Sequence, residues 1–158
     1  MKIDRIMTRE VGTCGPETNL ASVVETMWRR DCGIVPVVND RGEAVGVVTD
    51  RDVCIALGTR DVPASSLVAR SVMTEPVVGC APEDDGIDVL LTMAQRHVHR
   101  VPVLGIGGVV LGIVSIDDIV RHAARAPEAD PLRTVVLQIL ADVDTPARPA
   151  PKTLAVGA

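Results

Sequence analysis

The first half of this chain returns 66 residues later without an insertion, as the step from Thr8 to Thr74 shows. Ile6-Met7-Thr8 recurs as Val72-Met73-Thr74, and Cys14, Pro16 and Glu17 recur as Cys80, Pro82 and Glu83. Val35-Pro36-Val37 becomes Val101-Pro102-Val103, and Gly46-Val47-Val48-Thr49 becomes Gly112-Ile113-Val114-Ser115. Val23, Thr26, Met27, Arg30 and Asp52 recur as Val89, Thr92, Met93, Arg96 and Asp118. A repeat of this length is a structural unit that buries its apolar face against its twin. Any small-molecule site it carries is expected twice.

The composition supplies a core and removes several functions. Hydrophobic residues make up 47% of 158 residues, with one Trp and no Tyr or Phe, so the core is built from aliphatic side chains and Met. This length suits one compact globular body. A net charge of −5 argues against nucleic acid, which wants a basic patch and, for single strands, stacking aromatics. No polybasic run invites a membrane surface. The longest uncharged run, 101–116, is broken by four glycines and a proline and is shorter than a span of roughly 18 residues. The N-terminus lacks an apolar signal core, so a cytoplasmic setting is expected. The cysteines at 14, 32, 54 and 80 form no Cys-x-x-Cys, and reduced thiols are the default. Cys14 and Cys80, being repeat-equivalent, read as small buried strand residues.

Each copy reads as strand, helix, strand, strand, helix. A lead-in (Ile3–Met7; Val68–Met73) precedes a short strand (Val11–Cys14; Val77–Cys80). Leu20, Val23, Val24, Met27 and Trp28 then fall on one helical face, with Thr18 or Asn19 as cap. In the second copy Val89, Leu90 and Met93 hold that face, with Asp84 or Asp85 as cap. A hairpin follows, Ile34–Val38 and Ala44–Val48 around Asn39-Asp40-Arg41-Gly42, and again Arg100–Leu104 and Val109–Val114. Pro36 within its strand requires an edge or a position that needs no donor. Closing helices cover Asp50–Leu57 and Ile116–Ala126, and Gly58–Ser66 links the copies. The units are therefore 1–62, 63–126 and a C-terminal part, 127–158. That part holds a helix over about 130–141, with Asp130 as cap and Pro131 at its first position, and a disordered Pro- and Ala-rich tail from Val143.

The motif that carries chemistry is Gly46-Val-Val-Thr49-Asp50-Arg51-Asp52, with its twin Gly112-Ile-Val-Ser115-Ile116-Asp117-Asp118. A strand delivers a hydroxyl to a helix N-terminus, and a carboxylate follows three residues later. The spacing is that of a capping box, which needs no ligand. It also suits a ribonucleotide. The helix N-terminus favours phosphate, and an ionised Asp can accept from ribose hydroxyls. Both readings stand on the residues alone, and the duplication favours the second.

The ordered set resembles a tandem pair of CBS domains. The set comprises Met-Thr, Cys-x-Pro-Glu, a helix ending near Met27, an apolar-Pro-Val strand and Gly-apolar-apolar-Thr/Ser-x-x-Asp, all in both copies over residues 1 to about 126. The resemblance implies an α+β fold of two βαββα repeats packed about a pseudo-twofold axis, with two clefts between them. It implies a homodimer and a regulatory role toward an effector protein of unknown identity. It implies no obligatory cofactor, but an adenosine ligand: AMP, ADP or ATP, with NAD and S-adenosylmethionine as further options. Carried over by position, Thr49 and Asp52 serve one site, and Ser115 and Asp118 the other, as phosphate and ribose contacts. Thr13 and Gly79 would contact the base through backbone. Ile34, Val35 and Pro36, and Arg100, Val101 and Pro102, would line the adenine slot. His99 and Arg100 would offer cations to phosphate, and Asp50 would oppose it, so the sites are expected to be unequal. A constitutive docking scaffold with unoccupied sites is the alternative.

Other features carry less. His97-Val98-His99 has no metal-ligand set around it, and no metal is expected. Arg51 and Arg121 follow the two hydroxyl residues in different registers, and Arg51 could reach a phosphate or lie on solvated helix surface. Trp28, with Ala94 as its twin, could cover an interface edge, but core packing is the first expectation. The C-terminal helix could be a dimer contact, a cover or a docking stripe. No nucleophile elbow, phosphate loop or triad is present, so an enzyme is not expected.

Overall fold

In the computed structural model, which describes residues 1–127 and 131–143, both copies take the same order of elements. The first holds α1 (Leu20–Arg30), β1 (Ile34–Val38), β2 (Ala44–Thr49) and α2 (Asp50–Arg60). The second holds α3 (Gly86–Arg96), β3 (Arg100–Leu104), β4 (Val110–Ser115) and α4 (Ile116–Arg125), and α5 (Pro131–Val143) follows. Asn19 caps α1 by accepting the Ser22 N–H, and Asp85 caps α3 by accepting the Ile87 N–H. Tail residues 144–158 and the expected cap Asp130 lie outside the described residues.

The two hairpins match residue for residue. Ile34 pairs with Thr49 and Arg100 with Ser115, and each antiparallel ladder carries a bulge at the same place, after Val37 and after Val103. The short first strands expected at Val11–Cys14 and Val77–Cys80 shrink to single parallel bridges, Cys14 to Val37 and Cys80 to Val103. Proline is the reason. Cys14 N–H donates to Pro36 O (3.1 Å), and Val38 N–H donates to Cys14 O (2.8 Å). The next rung in one direction would need an N–H on Pro36, and in the other an N–H on Pro16. The second copy is stopped in the same way by Pro102 and Pro82.

The lead-ins cross over. Thr8 bridges Ile113 of the second copy, and Thr74 bridges Val47 of the first. Gly46 and Gly112 permit this approach. A Cβ on Gly46 would stand 2.5 Å from Met73 Sδ, and one on Gly112 would stand 2.6 Å from Thr8 O. Ile3 and Met7 therefore belong to the core of the second copy, with Leu90, Met93, Val103 and Ile119. Ala69 belongs to the core of the first, with Leu20, Val23, Val37 and Val48. The Met1 ammonium completes the first crossing at 2.6 Å from Asp85 Oδ2. That hydrogen bond, followed by the one from Ile87 N–H, holds the Asp85 carboxyl below its usual range. Glu43 pairs with Val109, its own repeat mate, so the pseudo-twofold axis passes there.

The copies differ in what covers their helices. α5 packs on α3 and α4, burying Val136 and Ile139 in the second core. Leu90 is 0% exposed beneath it, whereas its twin Val24 on α1 is 40% exposed. Trp28, expected in the core, is 86% exposed. Its helical face is apolar as the periodicity requires, but nothing among the described residues lies over it.

Candidate functional site

Both Ser/Thr-x-x-Asp motifs close into complete capping boxes. Thr49 N–H and Oγ–H donate to Asp52 Oδ2 at 2.9 and 2.7 Å, and Asp52 N–H donates back to Thr49 Oγ at 3.2 Å. Ser115 and Asp118 repeat this at 2.9, 2.6 and 3.2 Å. The cap consumes the hydroxyl hydrogen and loads Oδ2 with two donors. Each carboxylate keeps Oδ1, with lone pairs for further donors. The structural and ligand-binding readings of the motif are thus compatible: the cap fixes the carboxylate, and the second oxygen remains.

Around Ser115 and Asp118 a cleft of about 250 Å³ opens between the repeats. Its second-copy wall is Ile113, Ser115, Asp117, Asp118, Arg121 and Arg100. The first copy supplies Val11, Gly12, Ile34 and, from the end of α1, Arg30, Asp31 and Cys32. Thr8 and Glu10 come from the crossed lead-in. Backbone pairing in both directions with Ile113, each bond 2.9 Å, holds Thr8 in place. Asp31 adopts a left-handed backbone (φ 48°) where α1 ends, and this turns the chain from the helix toward the cleft. Arg121 approaches Asp118 Oδ1 to 3.9 Å, a loose pair that leaves the oxygen open to a stronger donor.

The residues named from sequence are partly brought together. Ile34, Arg100, Ser115 and Asp118 meet in this one cleft. Val35, Pro36, Val101 and Pro102 are buried inside their strands. Thr13 is exposed beside Gly12, whose backbone lines the cleft. Gly79 faces its own copy, where a Cβ would meet Leu104 at 2.7 Å. Thr49 and Asp52 occupy the twin position at the β2–α2 junction. His99 is exposed, and its carbonyl accepts the Ile116 N–H (3.0 Å). His97 ends α3 with φ 54°, so the two histidines do not share a strand face. Among the described residues no cluster of His, Cys, Asp or Glu could hold a metal ion.

Sequence reasoning did not name Thr8, Arg30 or Arg121 for the cleft. For the first two a signal was present. Met-Thr and the arginine ending the first helix recur in both copies, although an exposed Arg packs nothing that would require its return. Arg121 has Ile55 as its twin and gave no such signal.

The two capping-box positions are unequal by substitution. Following the 66-residue step, Asp31 exchanges with His97, Asp117 with Arg51, Arg121 with Ile55 and Glu10 with Pro76. Four carboxylates and three guanidinium groups thus line the Ser115 cleft.

Comparison with known proteins agrees with this architecture. The family model of the CBS domain matches twice, over residues 3–59 and 69–125. The uncharacterized protein YlbB of Bacillus subtilis is 32% identical over 135 residues, covering 82% of this chain and 90% of its own length. The uncharacterized protein MK0525 of Methanopyrus kandleri is 24% identical over 121 residues. That match covers 77% of this chain but 62% of the relative, so the chain spans about three fifths of that protein. Among solved structures, the CBS domain pair of protein MJ0100 in complex with 5'-methylthioadenosine and S-adenosylmethionine superposes with a TM-score of 0.72. It is 21% identical, and the match covers 78% of this chain and 96% of that one, a likeness of fold.

Proposed function

The chain belongs to the CBS domain family as a tandem pair, and from that premise we propose that it is a regulatory module binding adenosine nucleotides between its repeats. The observation that carries this reading is the cleft walled by both repeats, in which a capped Asp118 keeps one carboxylate oxygen for a ribose. Ile34, Val11 and Ile113 offer apolar surface to an adenine, and Arg30, Arg100 and Arg121 offer donors to phosphate. A volume of about 250 Å³ suits a mononucleotide better than a dinucleotide. The adenosine ligands of the MJ0100 pair support the ligand class.

The module acts by population shift. A ligand held between two repeats favours one arrangement of them, and a separate effector protein reads that arrangement. It works in the cytoplasm as a homodimer. No catalytic step belongs to this reading.

One observation favours the constitutive scaffold instead: the caps are complete without any ligand. Thermal unfolding with AMP, ADP, ATP, NAD and S-adenosylmethionine separates the two. A ligand at 100 times its Kd stabilises by about 2.7 kcal/mol. No shift with any of the five compounds rejects the sensor. Each shift is measured against the variant's own ligand-free transition. A shift that survives in the Asp52→Ala, Asp118→Ala double variant rejects the ribose role of these carboxylates.

A further inference from the structure

Arg100 stands on a partition between two hollows. On one side is the cleft with Ser115 and Asp118. On the other is a wider groove of about 580 Å³ between α1 and α2, lined by Trp28, Val24, Cys54 and Asp50. Asp31, Cys32 and Arg100 are common to both linings. The partition is thin because residue 33 is glycine. A Cβ there would stand 2.7 Å from Asp50 Oδ2 and 3.4 Å from a terminal nitrogen of Arg100. Among the described residues the guanidinium of Arg100 makes no hydrogen bond and no ion pair.

We propose that Arg100 links the phosphate of a bound nucleotide to the Trp28 groove, so that the groove responds to the ligand's charge rather than to occupancy alone. The inference rests on the adenosine-nucleotide reading of the cleft. An unpaired guanidinium beside two carboxylates, Asp31 and Asp50, is held only by screened attraction. A phosphate in the cleft offers it paired charge-assisted hydrogen bonds, which are stronger and directional. The guanidinium then commits to the cleft side, and Asp50 and Trp28 lose it from the groove. A nucleoside without phosphate fills the cleft but exerts no such pull. The device is one-sided. The twin of Arg100 is Ile34, and the twin of Trp28 is Ala94.

Trp28 is the only tryptophan, so its emission reports on the groove without a label. Calorimetry measures binding independently while adenosine, AMP and ATP are titrated into the full chain, with excitation at the red edge, where adenine does not absorb. AMP and ATP are expected to give binding heat that Asp118→Ala removes, together with a saturable change in Trp28 emission. Adenosine is expected to bind without that change. Arg100→Leu is expected to abolish the emission change and to weaken AMP roughly tenfold or more, a larger factor than for adenosine. Three results overturn the inference and leave the cleft reading intact: AMP heat removed by Asp118→Ala but no emission change, the same emission change with adenosine, or an emission change that persists in Arg100→Leu. No heat, or none that Asp118→Ala removes, overturns the cleft reading, and the inference falls with it.

Discussion

At Cys80, burial and then the nearby Asp84 carboxylate push the thiol up to about 12, and at Cys14 burial alone raises it to about 11. Both start from an ordinary value of 9.0. The sign follows from proton binding. Above pH 9 the unfolded chain loses these protons while the native state keeps them. Stability from the two thiols is therefore full below pH 9 and is lost as pH rises through about 11 and 12. Few other side chains confuse this limb, since the chain has no Tyr and its only lysines are Lys2 and Lys152. Urea unfolding at about pH 8 and about pH 11 should show a loss of stability that is smaller in the Cys14→Ala, Cys80→Ala variant. An equal loss in both proteins would remove the thiols from the account. Their recurrence in a Cys-x-Pro-Glu frame made the apolar placement legible, though only Cys14 is buried in the core and Cys80 is half-buried against its own. The fate of the Asp carboxylates was legible only in part. Spacing gives a capping box, but whether one oxygen or both are consumed depends on rotamers that only the folded junction sets.

At the scale of elements, α1 and α3 are a natural controlled comparison. They share length, place in the repeat and an apolar stripe, and differ in what lies above them. Periodicity identified the stripe of α1 correctly, but it cannot say whether a stripe is covered. Val24 and Trp28 lie on that stripe, yet the core reaches only Leu20, Val23 and Met27. The truncated first strands were in principle readable, since Pro16 and Pro36 remove successive donors from one ladder. Recognising this required knowing that Cys14 pairs in parallel with Val37. The cover makes a quantitative prediction. Leu90→Ala should cost about 2–5 kcal/mol, because it opens a cavity beneath α5, whereas Val24→Ala at the twin position should cost about 0.5 kcal/mol or less. Denaturant unfolding of the two variants measures the difference. Equal costs would mean that α5 does not seal the second copy.

At the scale of the molecule, the exchange of lead-ins decides both cooperativity and the composition of the cleft. A repeat read along the chain looks like one self-contained unit followed by another, with each lead-in serving its own copy. Ile3 and Met7 instead pack against Leu90 and Met93, and Ala69 packs against Leu20 and Val23. The same exchange delivers Thr8 to the Ser115 cleft, which is why adjacency in sequence did not place it there. Neither copy can keep its core when the other opens, because each core contains a segment anchored in the sequence of its neighbour. Separate unfolding of two sequence-defined halves is therefore excluded by connectivity, however similar the halves are. Ile3→Ala tests this directly. Ile3 is 0% exposed in the second core, so the truncation should cost about 2–5 kcal/mol. If the copies are one cooperative body, that cost must appear as a single transition moved to lower denaturant, with the same midpoint whether followed by circular dichroism or by emission from Trp28 in the first copy. If the second copy melted first, circular dichroism would shift while Trp28 emission kept its original midpoint, and the crossed lead-ins would not be the clasp that makes the pair a single structure.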